Sequence, residues 1–261
     1  MRRIIDCLSH PSMIAKYFSD KFYIPLVYFL SLLSLSVLII GLYSFKGSYI
    51  NYTYSSNVVS QVRYSDAEFE FKDNILYTNS AQTIKGNGII INFNKKDFVN
   101  DYSLQMKYNF KETEVDVYFL NFGKKSYKYE DLNLNGVSNT NLKNNTSYVL
   151  DFENAIYEIS KSFDNNFKLI SFSESLTNLL SSFLILFVVC MVIATFVNPQ
   201  IEFVTRLKLV LYDASIFFVF IMFTFMFSIN WIQFVGYAAS LIYTVITFKH
   251  IRRIKVVRQW N

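Results

Sequence analysis

The chain has 261 residues, 52% of them apolar, with 27 Phe, 19 Tyr and a formal net charge of +5. Only 7 Gly and 3 Pro exclude a collagen-like or low-complexity chain. Its two cysteines and two histidines, Cys7, Cys190, His10 and His250, all lie outside residues 46–174. That excludes from this stretch a disulfide, a Cys/His zinc site and Ser-His-Asp or Cys-His catalysis.

Residues 1–21 carry Arg2, Arg3, Lys16 and Lys21 beside Asp6 and Asp20. Ile4, Ile5 and Leu8, then Met13, Ile14, Tyr17 and Phe18, have helical spacing interrupted at Pro11. Two short amphipathic pieces on the cytoplasmic membrane surface are expected, with Ser9 or Ser12 capping the second. Residues 22–45 hold no charge and are long enough to cross a hydrocarbon core of about 30 Å. The run exceeds a signal-peptide core, and Gly41-Leu42-Tyr43-Ser44 is a poor cleavage site, so an uncleaved first span is expected.

Residues 46–174 form a polar stretch. Phe69 and Phe71 alternate with Glu68, Glu70 and Lys72, and Lys72-Asp73-Asn74 is turn chemistry before Ile75-Leu76-Tyr77, which predicts a hairpin. Ile89–Phe93 follows Gly86-Asn87-Gly88 as a short β-branched strand. Leu104, Met106, Tyr108 and Phe110 alternate, Val115–Leu120 reads as a strand, and Tyr127 with Tyr129 suggests one more. Five or six strands, mostly antiparallel, are expected. The period then changes. Val149, Phe152, Ile156, Ile159, Phe163, Phe167 and Ile170 mark one amphipathic helix, or two with a break near Asp164-Asn165-Asn166. From Gly47 to Glu174 there are sixteen acidic and thirteen basic residues, and this acidic balance argues against a nucleic-acid partner. Lys95-Lys96 and Lys124-Lys125 are too short to form basic patches. Asn51-Tyr52-Thr53, Asn144-Asn145-Thr146 and Asn145-Thr146-Ser147 match glycosylation sequons.

Residues 175–197 form the second span, ended by Asn198-Pro199, and 198–208 a cytoplasmic linker. Residues 209–248 contain one charge, Asp213, and would make a helix of about 60 Å. Two spans, 209–228 and 231–248, turning near Ser228-Ile229-Asn230, fit the membrane better, with Trp231 at the interface. Residues 249–261 are a basic tail with Lys249, Arg252, Arg253, Lys255 and Arg258, which an even number of spans keeps on the cytoplasmic side. Its Ile251, Ile254 and Val257 have helical spacing.

The expected fold class is therefore an α+β membrane protein: a four-helix transmembrane bundle with a β-rich extracytoplasmic domain inserted between spans 1 and 2. The expected location is the cell membrane, multi-pass, with both termini cytoplasmic. Asp213 is the one ionisable residue deep in an apolar run. It lies about one turn inside the expected cytoplasmic end, where Arg206 and Lys208 are candidate pairing partners. A structural pair and a proton or ligand role both stay open. No catalytic, cofactor-binding or metal residue is expected, and no cofactor. The expected partners are the lipid bilayer, which the basic tail contacts, and another membrane protein or complex.

Two stretches carry a resemblance. They are Ser65-Asp66-Ala67-Glu68-Phe69-Glu70-Phe71-Lys72-Asp73-Asn74-Ile75-Leu76 and Gly88-Ile89-Ile90-Ile91-Asn92. With Ser12–Tyr17 before the first span and 207–214 entering the third, the chain resembles a family of Gram-positive membrane proteins of unknown function, labelled MalA-like for maltodextrin utilisation. Where that family continues past its strand with an Asp, this chain has Asn92-Phe93-Asn94. The resemblance implies a link to sugar uptake. The expected function is a non-enzymatic accessory, sensor or scaffold subunit with an extracytoplasmic binding domain. A small transporter or channel using Asp213 is the alternative.

Overall fold

A computed structural model of the chain describes residues 2–79, 81–86, 88–94, 106–120 and 123–258, with side chains described within 5–251. The expectations for Lys95-Lys96 and Leu104, and for the side chains of Arg252, Arg253, Lys255 and Arg258, lie outside the described residues. The elements in chain order are α1 (Arg2–Ser9), α2 (Pro11–Ile14), a 3-10 turn (Ala15–Ser19), α3 (Tyr23–Ser44) and α4 (Tyr52–Arg63). Strands β1 (Phe69–Lys72), β2 (Ile75–Thr78), β3 (Gln82–Gly86), β4 (Ile89–Phe93), β5 (Met106–Phe110), β6 (Glu114–Phe119) and β7 (Lys124–Lys128) follow. The chain then continues through α5 (Asn139–Asn144), α6 (Thr146–Lys161), α7 (Asp164–Val197), α8 (Phe203–Asp213), α9 (Ser215–Phe227) and α10 (Ile232–Arg258). They divide into a helical unit, Met1–Lys46 with Leu169–Asn261, and a sheet unit, Gly47–Lys168.

Among the described residues, four helices are long and apolar enough to cross a membrane: Tyr23–Ser44, Asp164–Val197, Phe203–Phe227 and Ile232–Ile251. The helical unit is apolar on its outside. Leu38, Leu184, Phe196 and Phe234 are all exposed, whereas Ser36, Ser44, Ser240, Thr244 and Thr247 are buried. That is the reverse of a water-soluble bundle and suits a lipid surround. α8 and α9 form its axis and pack against both α3 and α10. α7 joins through rings: Phe183 lies 4.8 Å from Phe29 and 5.2 Å from Phe218. Gly236 lets α10 approach α9 closely, since a Cβ there would stand 2.8 Å from Phe220 Cβ.

Several expectations change here. The third apolar helix starts at Phe203, not 209, because Val204 and Leu207 extend the helical run toward Pro199. The turn after it is as expected: Ser228 takes a left-handed conformation (φ 56°) and α10 begins at Ile232. The N-terminal pieces form and break at Pro11, but neither Ser9 nor Ser12 caps the second. Its N-cap is His10, without a side-chain capping bond, and Pro11 opens the helix. Nor do the pieces simply lie on a surface. Cys7, Ile14 and Ala15 are fully buried in the core of the helical unit.

The sheet unit carries a five-stranded sheet of order β3-β4-β5-β6-β7 and a separate β1-β2 hairpin. The hairpin turn at Asp73 and Asn74, both at positive φ (52° and 59°), follows from their tolerance of the left-handed region. Pairing is antiparallel throughout except for β4 with β5, which run parallel. β3, α4 and α5 are additions to the expected elements. Alternate residues form the inner face: Ile89, Ile91 and Phe93 register with Met106, Tyr108 and Phe110, and these with Phe119, Val117 and Val115. All nine are buried, together with Val58, Val59 and Val62 of α4 and Phe152, Ile156 and Ile159 of α6. The hairpin joins this core through rings. Phe69 stacks on Phe93 at 4.4 Å, and Phe71 meets Tyr129 at 4.9 Å. Burial raises the Tyr54 phenol to about 12 and pushes the Tyr108 phenol well up. Tyr108 shares a 2.7 Å hydrogen bond with Ser160.

The other face carries a polar row with one residue per strand: Thr83, Asn92, Asn109, Asp116 and Ser126 in register. Asp116 is fully buried and ion-paired with Lys111 (2.7 Å) and Lys124 (3.3 Å), and it accepts from Ser126 at 2.5 Å. Burial alone would raise its carboxyl. The bonds from Lys111, Ser126 and Lys124 outweigh it and hold the group below its ordinary value. A depressed folded-state pKa contributes stability that is fully present above the unfolded value and is lost as pH falls through the folded one. Acidification below about pH 4 should therefore lower the melting temperature of the sheet unit. Asp116→Asn should flatten that acid slope while costing stability at neutral pH. Tyrosine near-ultraviolet melting of the full chain at stepped pH checks this, and an unchanged acid slope in Asp116→Asn would contradict it.

Candidate functional site

The helical unit places its most unusual group where α8 meets α9. The two helices are nearly continuous and break at Ala214, whose N–H still bonds Val210 O while its carbonyl is taken by the Phe217 N–H three residues on. Asp213 sits at this break, near the middle of the Phe203–Phe227 stretch and fully buried. The helix that carries it starts at Phe203, before Arg206 and Lys208. Its Oδ1 accepts from Thr247 Oγ1 of α10 at 2.7 Å. Its Oδ2 is buried with no hydrogen-bond partner among the described residues. Cys190 of α7 is buried within electrostatic range of the carboxyl and of Thr244.

Arg206 and Lys208 do not reach it. The Arg206 guanidinium donates to Pro199 O (3.4 Å) and Ile201 O (2.9 Å). Lys208 Nζ donates to Phe18 O (2.9 Å) and Asp20 O (2.8 Å). The reason is helical geometry: Arg206 lies seven residues and Lys208 five residues before Asp213, and side chains in a helix lean toward its N-terminus, away from the acid. Both cations instead serve as clamps on irregular backbone. Lys208 belongs to a set of bonds that fix the N-terminal segment. Tyr212 donates to Asp20 Oδ2 at 2.8 Å, Tyr243 to Leu8 O at 2.8 Å, and Tyr17 to Asp6 Oδ2 at 2.6 Å. Of the basic tail, Lys249 is exposed on α10, which continues to Arg258.

A second polar feature lies at the α9–α10 turn, a pocket of about 150 Å³ lined by Tyr43, Ser175, Asn178, Ser182, Thr224 and Gln233 among others. The rings of Phe217 and Phe218, 5.9 Å apart, follow Asp213 along α9 toward it.

The sheet unit holds an open groove of about 830 Å³ between the β1–β2 hairpin and α5. Asp66, Glu68, Glu70 and Tyr77 line one side, and Ser138, Asn141 and Asn144 the other. Its frame is well bonded. Thr78 Oγ1 donates to Glu68 O at 2.8 Å, Asn79 Nδ2 to Glu68 Oε2 at 3.1 Å, and Asn139 Nδ2 to Ser65 O at 3.2 Å. Tyr77 is 52% exposed, leaving a ring face open beside carboxylates and amides. The sequence reading missed this groove, since its walls come from residues about seventy apart, joined by the Glu70–Ser138 bridge and by backbone bonds between Phe71 and residues 136–137. The sequon asparagines have structural work: Asn51 caps α4 by accepting from Tyr54 N, and Asn145 caps α6 by accepting from Ser147 N. Among the described residues no group of three or more His, Cys, Asp or Glu could hold a metal ion.

No protein-family model matches the chain, and no curated protein or solved structure matches it significantly.

If Lys208 clamps the N-terminal segment, Lys208→Met should loosen it. Each hydrogen bond to a charged donor is worth about 1.5–3 kcal/mol. Amide exchange in residues 10–20 should therefore speed by about tenfold or more, with the core of α9 unchanged. Hydrogen-exchange mass spectrometry on the full chain in lipid nanodiscs measures it.

Proposed function

We propose that this chain is a non-enzymatic integral membrane protein, an accessory, sensor or scaffold subunit of a larger membrane assembly. Residues 46–174 form its extracytoplasmic binding domain, and both termini are cytoplasmic. The observation that carries this reading is the groove of about 830 Å³ in the sheet unit, whose hydrogen-bonding rim and exposed Tyr77 ring suit contact with a polar partner. Four apolar helices support the membrane anchor. The basic tail on residues 249–261 supports its cytoplasmic placement through the positive-inside bias. Sugar uptake is the assembly class that the family resemblance implies.

Two measurements test it. A photo-crosslinking side chain replacing Tyr77 should trap one discrete partner in native membranes, and Glu70→Lys should reduce the yield severalfold. Reporter fusions should score outside when placed within the sheet unit and inside at Asn261. An external C-terminus would refute the arrangement. Purified protein that moved solute across liposomes unaided, and lost that flux on Asp213→Asn, would replace the accessory role with the transporter alternative.

A further inference from the structure

The bonds around Asp213 are one hydrogen short. Thr247 Oγ1 has two acceptors within reach, Asp213 Oδ1 at 2.7 Å and the Pro11 carbonyl at 3.0 Å. A threonine hydroxyl carries a single hydrogen. If Asp213 were ionised, one of these two contacts would set oxygen against oxygen with nothing between them. A proton on the carboxyl closes both. Oδ1–H then donates to Thr247 Oγ1, and the Thr247 hydroxyl donates onward to Pro11.

Charge makes the same demand independently. Asp213 is fully buried and Oδ2 has no hydrogen-bond partner among the described residues. A buried carboxylate needs an opposite charge. Among the described residues no cation bonds it; Lys249 and His250 of α10 lie beyond Thr247, Lys249 exposed. Cys190 of α7 and Tyr243 of α10 face the carboxyl, and Tyr28 of α3, with Cys7 of α1 beside it, bonds the neighbouring Ser215. Arg206 Nη2 and Lys208 Nζ bond backbone carbonyls, and Arg206 Nε is buried without a hydrogen-bond partner among the described residues.

We infer that Asp213 is a proton-binding site, and that the bound proton completes a relay from α8 through Thr247 of α10 to the Pro11 carbonyl at the start of α2. Uptake forms one O–H bond on the carboxylate, takes one proton from bulk water, and breaks no bond in the chain. Loss of the proton leaves the relay with too few hydrogens, so Thr247 must abandon either Asp213 or Pro11. Proton occupancy is thereby linked to how firmly the N-terminal segment is held on the helical unit. This goes beyond the proposed accessory role and holds whatever the groove of the sheet unit binds.

The test is infrared spectroscopy of the full chain in lipid vesicles, with its aspartate carboxyls ¹³C-labelled. The expected result at neutral pH is a protonated-carboxyl carbonyl band that Asp213→Asn removes. That variant should stay folded, because the Asn amide supplies the hydrogen that Thr247 accepts. Should it not fold, Thr247→Val serves instead. It removes the hydrogen-bonding hydroxyl, so the band should persist and move to higher frequency. A spectrum with no protonated-carboxyl band at neutral pH overturns the inference. So does a band that neither variant alters, or an Asp213 carboxylate signal that responds to Na⁺ in place of pH.

Discussion

The hydrogen bond between Thr247 and Asp213 is the contact on which the helical unit depends. It is the polar tie between the axial helix and α10 in a bundle whose outside is apolar. Burying water-fearing surface supplies little drive between helices in lipid, since the surrounding tails are equally apolar. Association then rests on close packing and on polar bonds inside. Gly236 supplies the first, and the series Ser240, Thr244 and Thr247 on α10 lies on the buried side. Ser240 and Thr244 return their hydroxyls to their own helix at Gly236 O and Ser240 O. Thr247 reaches across to another element.

The same reasoning explains the N-terminal segment. Its backbone is irregular around Pro11 and after Ser19, so several carbonyls lack helical partners. Lys208, Tyr243 and Thr247 supply donors to Phe18, Asp20, Leu8 and Pro11. Cations that look from the sequence like partners for an acid are used to satisfy backbone.

In the sheet unit, the organising constraint is a row of polar groups across one sheet face, buried at Asn92, Asn109 and Asp116 and exposed at Thr83 and Ser126. Asp116 is tolerated there because two lysines and a serine surround it. The opposite face is ordinary core, dominated by stacked rings from the hairpin, β4, β5 and α6. At the entrance to α7, Asp164 accepts from the Tyr49 and Ile50 N–H groups at 2.7 and 3.0 Å and pairs with Lys168 at 2.7 Å. One carboxylate thus fixes the start of the sheet unit to its last helix.

The sequence by itself determined the features that depend on local pattern. Charge-free runs marked the apolar helices, and alternation at Phe69–Phe71 and Met106–Phe110 marked strands. The repeat from Val149 to Ile170 marked two helices whose break falls at Ser162–Phe163, close to the expected place. α4 was not legible, because Tyr52–Arg63 is a Ser- and Tyr-rich run with few apolar residues, and its helix is set by the Asn51 cap and by packing on α6. β3 was equally silent, since Gln82–Gly86 pairs along one edge only. Asp213 could be picked out from sequence as the lone acid in an apolar run. Its partners could not, because Thr247 and Pro11 lie far from it along the chain and on either side of it. Only the tertiary structure decided them. Hydrogen bonds between distant elements depend on how helices cross, and no local spacing records that.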